Sequence, residues 1–531
     1  MGSCASREPA LLPSAAAGAS DRSDASAADE RIDTVVTVFD DAVYYWRVLP
    51  SAVLFAEWGS YWRIVAGVGE ASATRAGVSE HEAERLFSMS LASREKHVDM
   101  YVSVTHTVGR WRAHMALLYV RHHAAAAQLS LLCAGICASW ALLLRVVFDQ
   151  RLPALTAVLL LVALPALCYC ARLLLGPRLS LGFHAFHHSA CVHAARGGRL
   201  REAGVRSLGS AIKHAREHVA IWSPGLFGRL WPVVELALHA RAAAALSAKA
   251  ARARAEGASG AAARQFAPRR LTVVPRWLGR TLLFTLLAHA LCIGLAVRLA
   301  PALGASLSHA RVHALAARMP TAREMEWSAC VWVGVSGLPL FGLCALLRYR
   351  ARQRTEAEAQ LARFELAKSA LSDEADRPLL TVLVLAHWRT VADFEAFVRV
   401  ELLHTVRAAL GPAWALPLSW CLFCSMPACY YGLVDATTQP YALAVRQTRA
   451  DVPCYALVTV AFHATVGVVC LPLALHAAAA SAWHLRALPF ALGLAVDWAV
   501  LLGSAYALVL LSTRWPHALF AQCAGDNDRF F

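Results

Sequence analysis

Between Gln128 and Leu511 the chain carries about seven apolar stretches of roughly 20 residues each, the length a helix needs to cross the hydrocarbon core of a bilayer. A soluble core has no use for so many long apolar runs, and a backbone in lipid must satisfy its own hydrogen bonds. The sequence therefore predicts an all-α fold: a polytopic helical integral membrane protein with about seven transmembrane helices. Composition agrees, with 58% apolar and only 16% charged residues among 531. The predicted spans are Gln128 to Phe148, Leu155 to Leu175, Trp277 to Val297, Trp327 to Leu347, Ala413 to Val434, Pro453 to Leu475 and Leu488 to Leu511.

This divides the chain into a tail (1–30), a mixed N-terminal cytosolic or interfacial region (31–127), a transmembrane hairpin (128–175) and a basic loop (176–276). A second hairpin (277–347), a helical loop (348–412), three further spans (413–511) and a C-terminal tail (512–531) follow. The basic loop holds sixteen Lys and Arg against Glu202, Glu217, Glu235 and Glu256, which is most of the net charge of +15. Basic loops stay in the cytosol, and Arg348, Arg350, Arg352 and Arg354 after the fourth span, like Arg110, Arg112 and Arg121 before the first, fall on the same side. The N-terminus is then cytosolic. Because the basic residues flank apolar spans rather than alternate with aromatics in a soluble domain, the expected partners are the bilayer and anionic lipids, not nucleic acid.

Twelve of the fifteen cysteines fall inside predicted spans, where a thiol is a small apolar side chain. Cys421 and Cys424 have the spacing of half a zinc site, without a second pair. The first residues, Met1-Gly2-Ser3-Cys4-Ala5-Ser6, fit the acceptor pattern for N-myristoylation at Gly2, with Cys4 placed for a second, palmitoyl chain. The acidic, weakly apolar tail behind them reads as a disordered tether without a secretory signal. In the loop 348–412, Thr390 with Asp393 forms a capping-box pattern, Val391, Phe394, Val398 and Leu402 form one apolar stripe, and Gly411-Pro412 ends the run. That stripe must pack on the chain itself, the membrane or a protein partner.

Two constellations bear on function. After the second predicted span come His184, His187 and His188, followed by His214 and His218; on helices these would lie at i, i+3, i+4 and at i, i+4, spacings that can hold a transition metal. The His-x-x-His-His run resembles a histidine box of membrane fatty-acid desaturases and hydroxylases, which implies a di-iron centre and lipid oxidation. The family's later boxes have no counterpart here beyond scattered His387 and His404. His214 to His218 also matches the inverted zinc-protease pattern His-x-x-Glu-His, whose Glu217 would be a general base.

The second constellation is ionisable residues within spans: Arg145, His289, His463 and above all Asp497, too deep in its span to reach water on so short a side chain. In a tight hairpin of the last two spans Asp497 falls level with about Val469. Gly334, Gly337, Pro339 and Gly342 in the fourth span, and Pro417 and Pro427 in the fifth, give two helices reason to kink or unwind, as around transport sites. The favoured reading is a transporter or channel-like protein without a cofactor, whose passage involves Asp497 with His463 and His289 as proton or ion partners. The alternatives are a metal-dependent membrane enzyme using iron or zinc on the histidine cluster, and a non-catalytic membrane scaffold.

Overall fold

A computed structural model describes residues 47–55, 60–62, 65, 91–92, 98–105, 108–148, 153–179, 184–186, 208–209, 211–256, 269–295, 320–371, 374–412, 416, 465 and 469–524. β1 (Arg47–Pro50) leads into the single turn α1 (Ser51–Phe55), and β2 (Leu91–Ala92) and β3 (Val98–Ser103) follow. The long helix α2 (Arg110–Val147) comes next. α3 is helical over Ala154–Val158, passes through a π turn at Leu159–Ala163 and resumes over Leu164–Leu179. Pro165 explains the π turn: it has no N–H for the carbonyl four residues back, and the chain shifts register so that the Leu164 N–H reaches the Leu159 carbonyl. The Ser130 hydroxyl of α2 donates to the Pro165 carbonyl at 2.9 Å, tying the two helices together at that point.

β4 (His184–Phe186), β5 (Ala215–Trp222), α4 (Leu230–Ala255) and β6 (Arg270–Pro275) alternate strand and helix. The apolar helix α5 (Leu278–Leu295) follows β6 almost directly. α6 (Pro320–Ala362) spans 43 residues, and α7 (Asp376–His387) lies beyond it. α8 runs through Val391–Phe397, a π turn at Val398–Leu402 and Leu403–Leu410. α9 (Leu471–His484) and α10 (Phe490–Ala524) complete the chain.

The protein is mostly helical, but the all-helical expectation is corrected by a six-stranded sheet of order β2-β1-β4-β3-β5-β6. β4, β3, β5 and β6 run parallel to one another, and β1 is antiparallel to β2 and β4. A parallel sheet covered on both faces is built from short continuous apolar runs, which resemble pieces of buried helix in a sequence already rich in them. Side chains of β5 alternate accordingly. Val219 and Ile221 pack with α2, α3 and α5, whereas Ala220 and Trp222 pack with α4, α7 and α8.

Among the described residues three helices are long and apolar enough to cross a membrane: Arg110–Ala141, Leu155–Gly176 and Leu278–Leu295. They keep large apolar side chains on the surface, with Leu132, Leu167 and Leu291 each more than 60% exposed, as a lipid-facing surface requires. Seven spans are not confirmed. The fifth expected span lies outside the described residues apart from Leu416, and α2 begins at Arg110 rather than near Gln128. The fourth span does not unwind, since α6 continues as helix through Pro339. At 1.5 Å per residue α6 is about 64 Å long, twice the hydrocarbon core. Its last turns leave the bundle and bury Ala357 and Leu361 against α8.

The arginines at that exit have structural partners. Arg350 and Arg354 donate to the carbonyls of Leu410 and Gly411, which end α8 without intrahelical donors. Gly411 adopts φ 71°, the conformation that stops the helix. At the other end of α8 the Thr390 hydroxyl accepts from the Asp393 N–H at 3.0 Å and the Asp393 carboxylate accepts from the Thr390 N–H at 3.1 Å, a complete capping box. Phe394, Val398 and Leu402 face inward and are fully buried, so the stripe packs within the chain.

Candidate functional site

Asp497 lies in α10 and is fully buried. The Arg348 guanidinium of α6, also fully buried, donates to it at 2.9 Å, and the Ser481 hydroxyl of α9 donates to its other oxygen at 2.7 Å. Three helices thus meet on one carboxylate. Arg348 also donates to the Leu485 carbonyl at 2.6 Å, satisfying an acceptor at the end of α9, while Arg352 reaches the Leu488 carbonyl at 2.9 Å. Gly493 makes the arrangement fit, because a Cβ there would stand 1.5 Å from Arg348 Nη2. Ionised groups removed from water are costly unless paired and hydrogen-bonded, and here both are.

The register between the last two helices differs from the sequence expectation. Asp497 faces Ser481, not Val469, and the Cys470 thiol likewise faces the Leu508 carbonyl. α9 continues to His484, so the turn lies at 485–489, later than a hairpin centred on the apolar pattern. Arg348, the partner sequence reasoning missed, looked interfacial because three more arginines follow it. The available signal was that spans four and seven run in opposite directions, so Arg348 just after the one and Asp497 early in the other fall at the same level. His289 is buried in α5, and its Nδ1 has no hydrogen-bond partner. His463 lies outside the described residues, as do Gly2 and Cys4.

A second buried polar group sits between the sheet and α4. Tyr101 on β3 donates to Glu235 at 2.9 Å, Ser103 donates to the other oxygen of Glu235, and His218 Nε2 lies 2.7 Å from Ser103 Oγ. With its one proton on Glu235, the Ser103 hydroxyl accepts from His218 Nε2–H, which leaves His218 Nδ1 as a bare acceptor without a partner. His239, one turn after Glu235 on α4, stacks edge-on against His218 at 4.9 Å and has neither ring nitrogen hydrogen-bonded. Burial first, and then the neighbouring His239, hold His218 well below the usual histidine range. Burial, helped by the Arg269 charge, lowers His239 to about 4.

These residues form a Ser-His-Glu set in composition but not in chemistry. A nucleophilic serine gives its proton to the histidine, which is oriented by the acid; here the serine gives it to the acid and the histidine is the donor. Ser103, His218 and Glu235 are fully buried, so a substrate has no approach.

The helical geometry expected for the histidine motifs is corrected as well. His214 ends a helical turn and is half-buried, whereas Glu217 and His218 lie on β5, where successive side chains point to opposite faces. Glu217 accordingly accepts from Thr272 at 2.6 Å and meets Arg121 at 3.8 Å, while His218 faces α4. The His-x-x-Glu-His match therefore does not gather its residues. His184 is in β4, extended rather than helical, and His187 and His188 lie outside the described residues. Among the described residues, no three His, Cys, Asp or Glu side chains converge as a metal site. No protein-family model matches the chain, and no curated protein or solved structure matches it.

Proposed function

We propose that the protein is a transporter or channel-like membrane protein in which the Arg348–Asp497 pair holds one end of a passage closed. The carrying observation is the pair itself, a fully buried charge contact between α6 and α10 at 2.9 Å with Ser481 of α9 as third partner. Ionisable residues in apolar helices mark pathways and gates more often than packing, because an apolar pair of the same size is as stable or more so. α6 supports a regulated gate, since the same helix bears Arg348 and extends to pack on α8. Movement of the sheet domain would be carried to the pair along one rigid element. The basic segments support a cytosolic side for that domain.

The test is flux of Na+, K+, Cl− and H+ through protein reconstituted in liposomes, with Asp497→Asn compared with the charge swap Arg348→Asp/Asp497→Arg. Asp497→Asn leaves Arg348 unpaired and is expected to raise basal flux at least tenfold for the permeant species; the swap should bring it back towards wild type. Equal flux in all three proteins removes the pair from the mechanism.

A further inference from the structure

We infer that the species this gate admits is a small inorganic anion, led to the buried Arg348 by Arg352 at the surface. The inference rests on the transport reading and adds the class of ion to it. Arg348 and Arg352 lie one turn apart on α6 and so share a face. The Leu488 carbonyl, in the turn between α9 and α10, accepts from Arg352 Nη2 at 2.9 Å and lies 3.5 Å from Arg348 Nη2. Two guanidiniums therefore converge on one acceptor, the first exposed and the second fully buried. Among the described residues Asp497 is the single carboxylate in contact with either.

The same turn gathers more positive charge. Arg486 lies over the Trp483 ring at 4.4 Å, Arg354 reaches that ring at 5.8 Å, and Arg352 lies over Phe490 at 5.4 Å. Arg354 is paired with Glu358, which Arg407 shares, whereas among the described residues neither Arg352 nor Arg486 has a carboxylate partner. A path past this turn is positive from the surface inward, and a positive lining attracts anions and repels cations. At its inner end the balance depends on Arg348. Its Nη1 donates to Asp497 and its Nη2 to the Leu485 carbonyl, but Nε is buried without a partner. When the pair parts, the Asp497 carboxylate keeps the Ser481 hydroxyl, while the guanidinium loses its counter-charge at a buried position. An anion restores that charge; a cation meets two guanidiniums. Asp497 is thus a tethered anion holding the place that the passing ion takes.

The test separates the class of ion from the gate itself. Full-length protein in KCl-loaded liposomes is assayed for chloride efflux with valinomycin carrying the balancing potassium, and for potassium efflux with a proton carrier present. Asp497→Asn is expected to raise chloride efflux at least tenfold over wild type and to leave potassium efflux unchanged. Adding Arg352→Glu should cut the raised chloride efflux at least threefold, whereas Arg363→Glu, at an exposed position just beyond α6, should not. Ser481→Ala keeps the charge pair and removes one hydrogen bond from Asp497, so it opens the same path to a lesser degree and replaces Asp497→Asn if that protein does not assemble. Potassium efflux that rises as much as chloride efflux, or more, overturns the anion assignment and leaves the gate standing. Equal efflux of both ions in wild type and the opened variants removes the gate, and this inference with it. Equal losses from Arg352→Glu and Arg363→Glu overturn the part given to Arg352.

Discussion

Replacing Gly493 by alanine should disable the Arg348–Asp497 pair without touching either charged residue. The added Cβ would stand 1.5 Å from Arg348 Nη2 and 1.7 Å from Cζ, inside any allowed non-bonded distance, so the guanidinium has to leave. It then loses Asp497 and the Leu485 carbonyl together. Breaking a buried pair on one side costs about 3–5 kcal/mol, far more than the 0.5–1 kcal/mol or so that alanine gains over glycine within a helix. Arg348→Ala should cost a similar amount. The double variant should cost no more than Arg348→Ala alone, because the three atoms nearest the new Cβ all belong to Arg348. The interaction energy in this double-mutant cycle is thus expected to be about 3 kcal/mol or more in magnitude, where distant independent sites would add to within about 0.5 kcal/mol. The assay is denaturant unfolding of the purified protein in detergent micelles, followed by tryptophan fluorescence. Additive penalties, or a Gly493→Ala protein as stable as wild type, would refute the close approach of Arg348 to α10.

Acidification should weaken the sheet domain through its buried histidines. The ordinary histidine pKa of 6.5 holds in the unfolded chain, and burial lowers His239 to about 4, so below pH 6.5 the unfolded chain takes up a proton that the folded one refuses. Stability falls across that window by about 3 kcal/mol for this one group at 1.36 kcal/mol per unit, and His239→Phe should flatten the unfolding free energy between pH 7 and 5; an unchanged slope would contradict the burial. At the start of α8, Thr390→Ala should cost about 1 kcal/mol and Thr390→Ser nearly nothing, measured by the same denaturant unfolding. Equal losses in the two would mean that the threonine methyl rather than its hydroxyl matters.

Local rules were sufficient where the cause is local. The capping box at Thr390 and Asp393, the stop at Gly411 and the inward stripe of Phe394, Val398 and Leu402 depend on residues a few positions apart, and each is visible in the sequence. The apolar runs of α3 and α5 are similar, since twenty apolar residues in a row decide length and class by themselves. The histidine motifs failed for an equally physical reason. A spacing of i, i+4 means one face only on a helix, and the segment around His218 is a strand because it is enclosed between β3 and β6 with helices over both faces.

The sequence alone determined the membrane-compatible apolar helices, the uneven distribution of basic charge and the ends of the short helices, because hydropathy, charge and capping act over one or two turns. Only the tertiary structure decided that Asp497 is met by Arg348 from 149 residues away and that Ser103, His218 and Glu235 share one buried network. Those contacts join residues far apart in the chain. Which charges meet is set by how whole helices and strands pack, and the order of residues along any one of them carries no record of it.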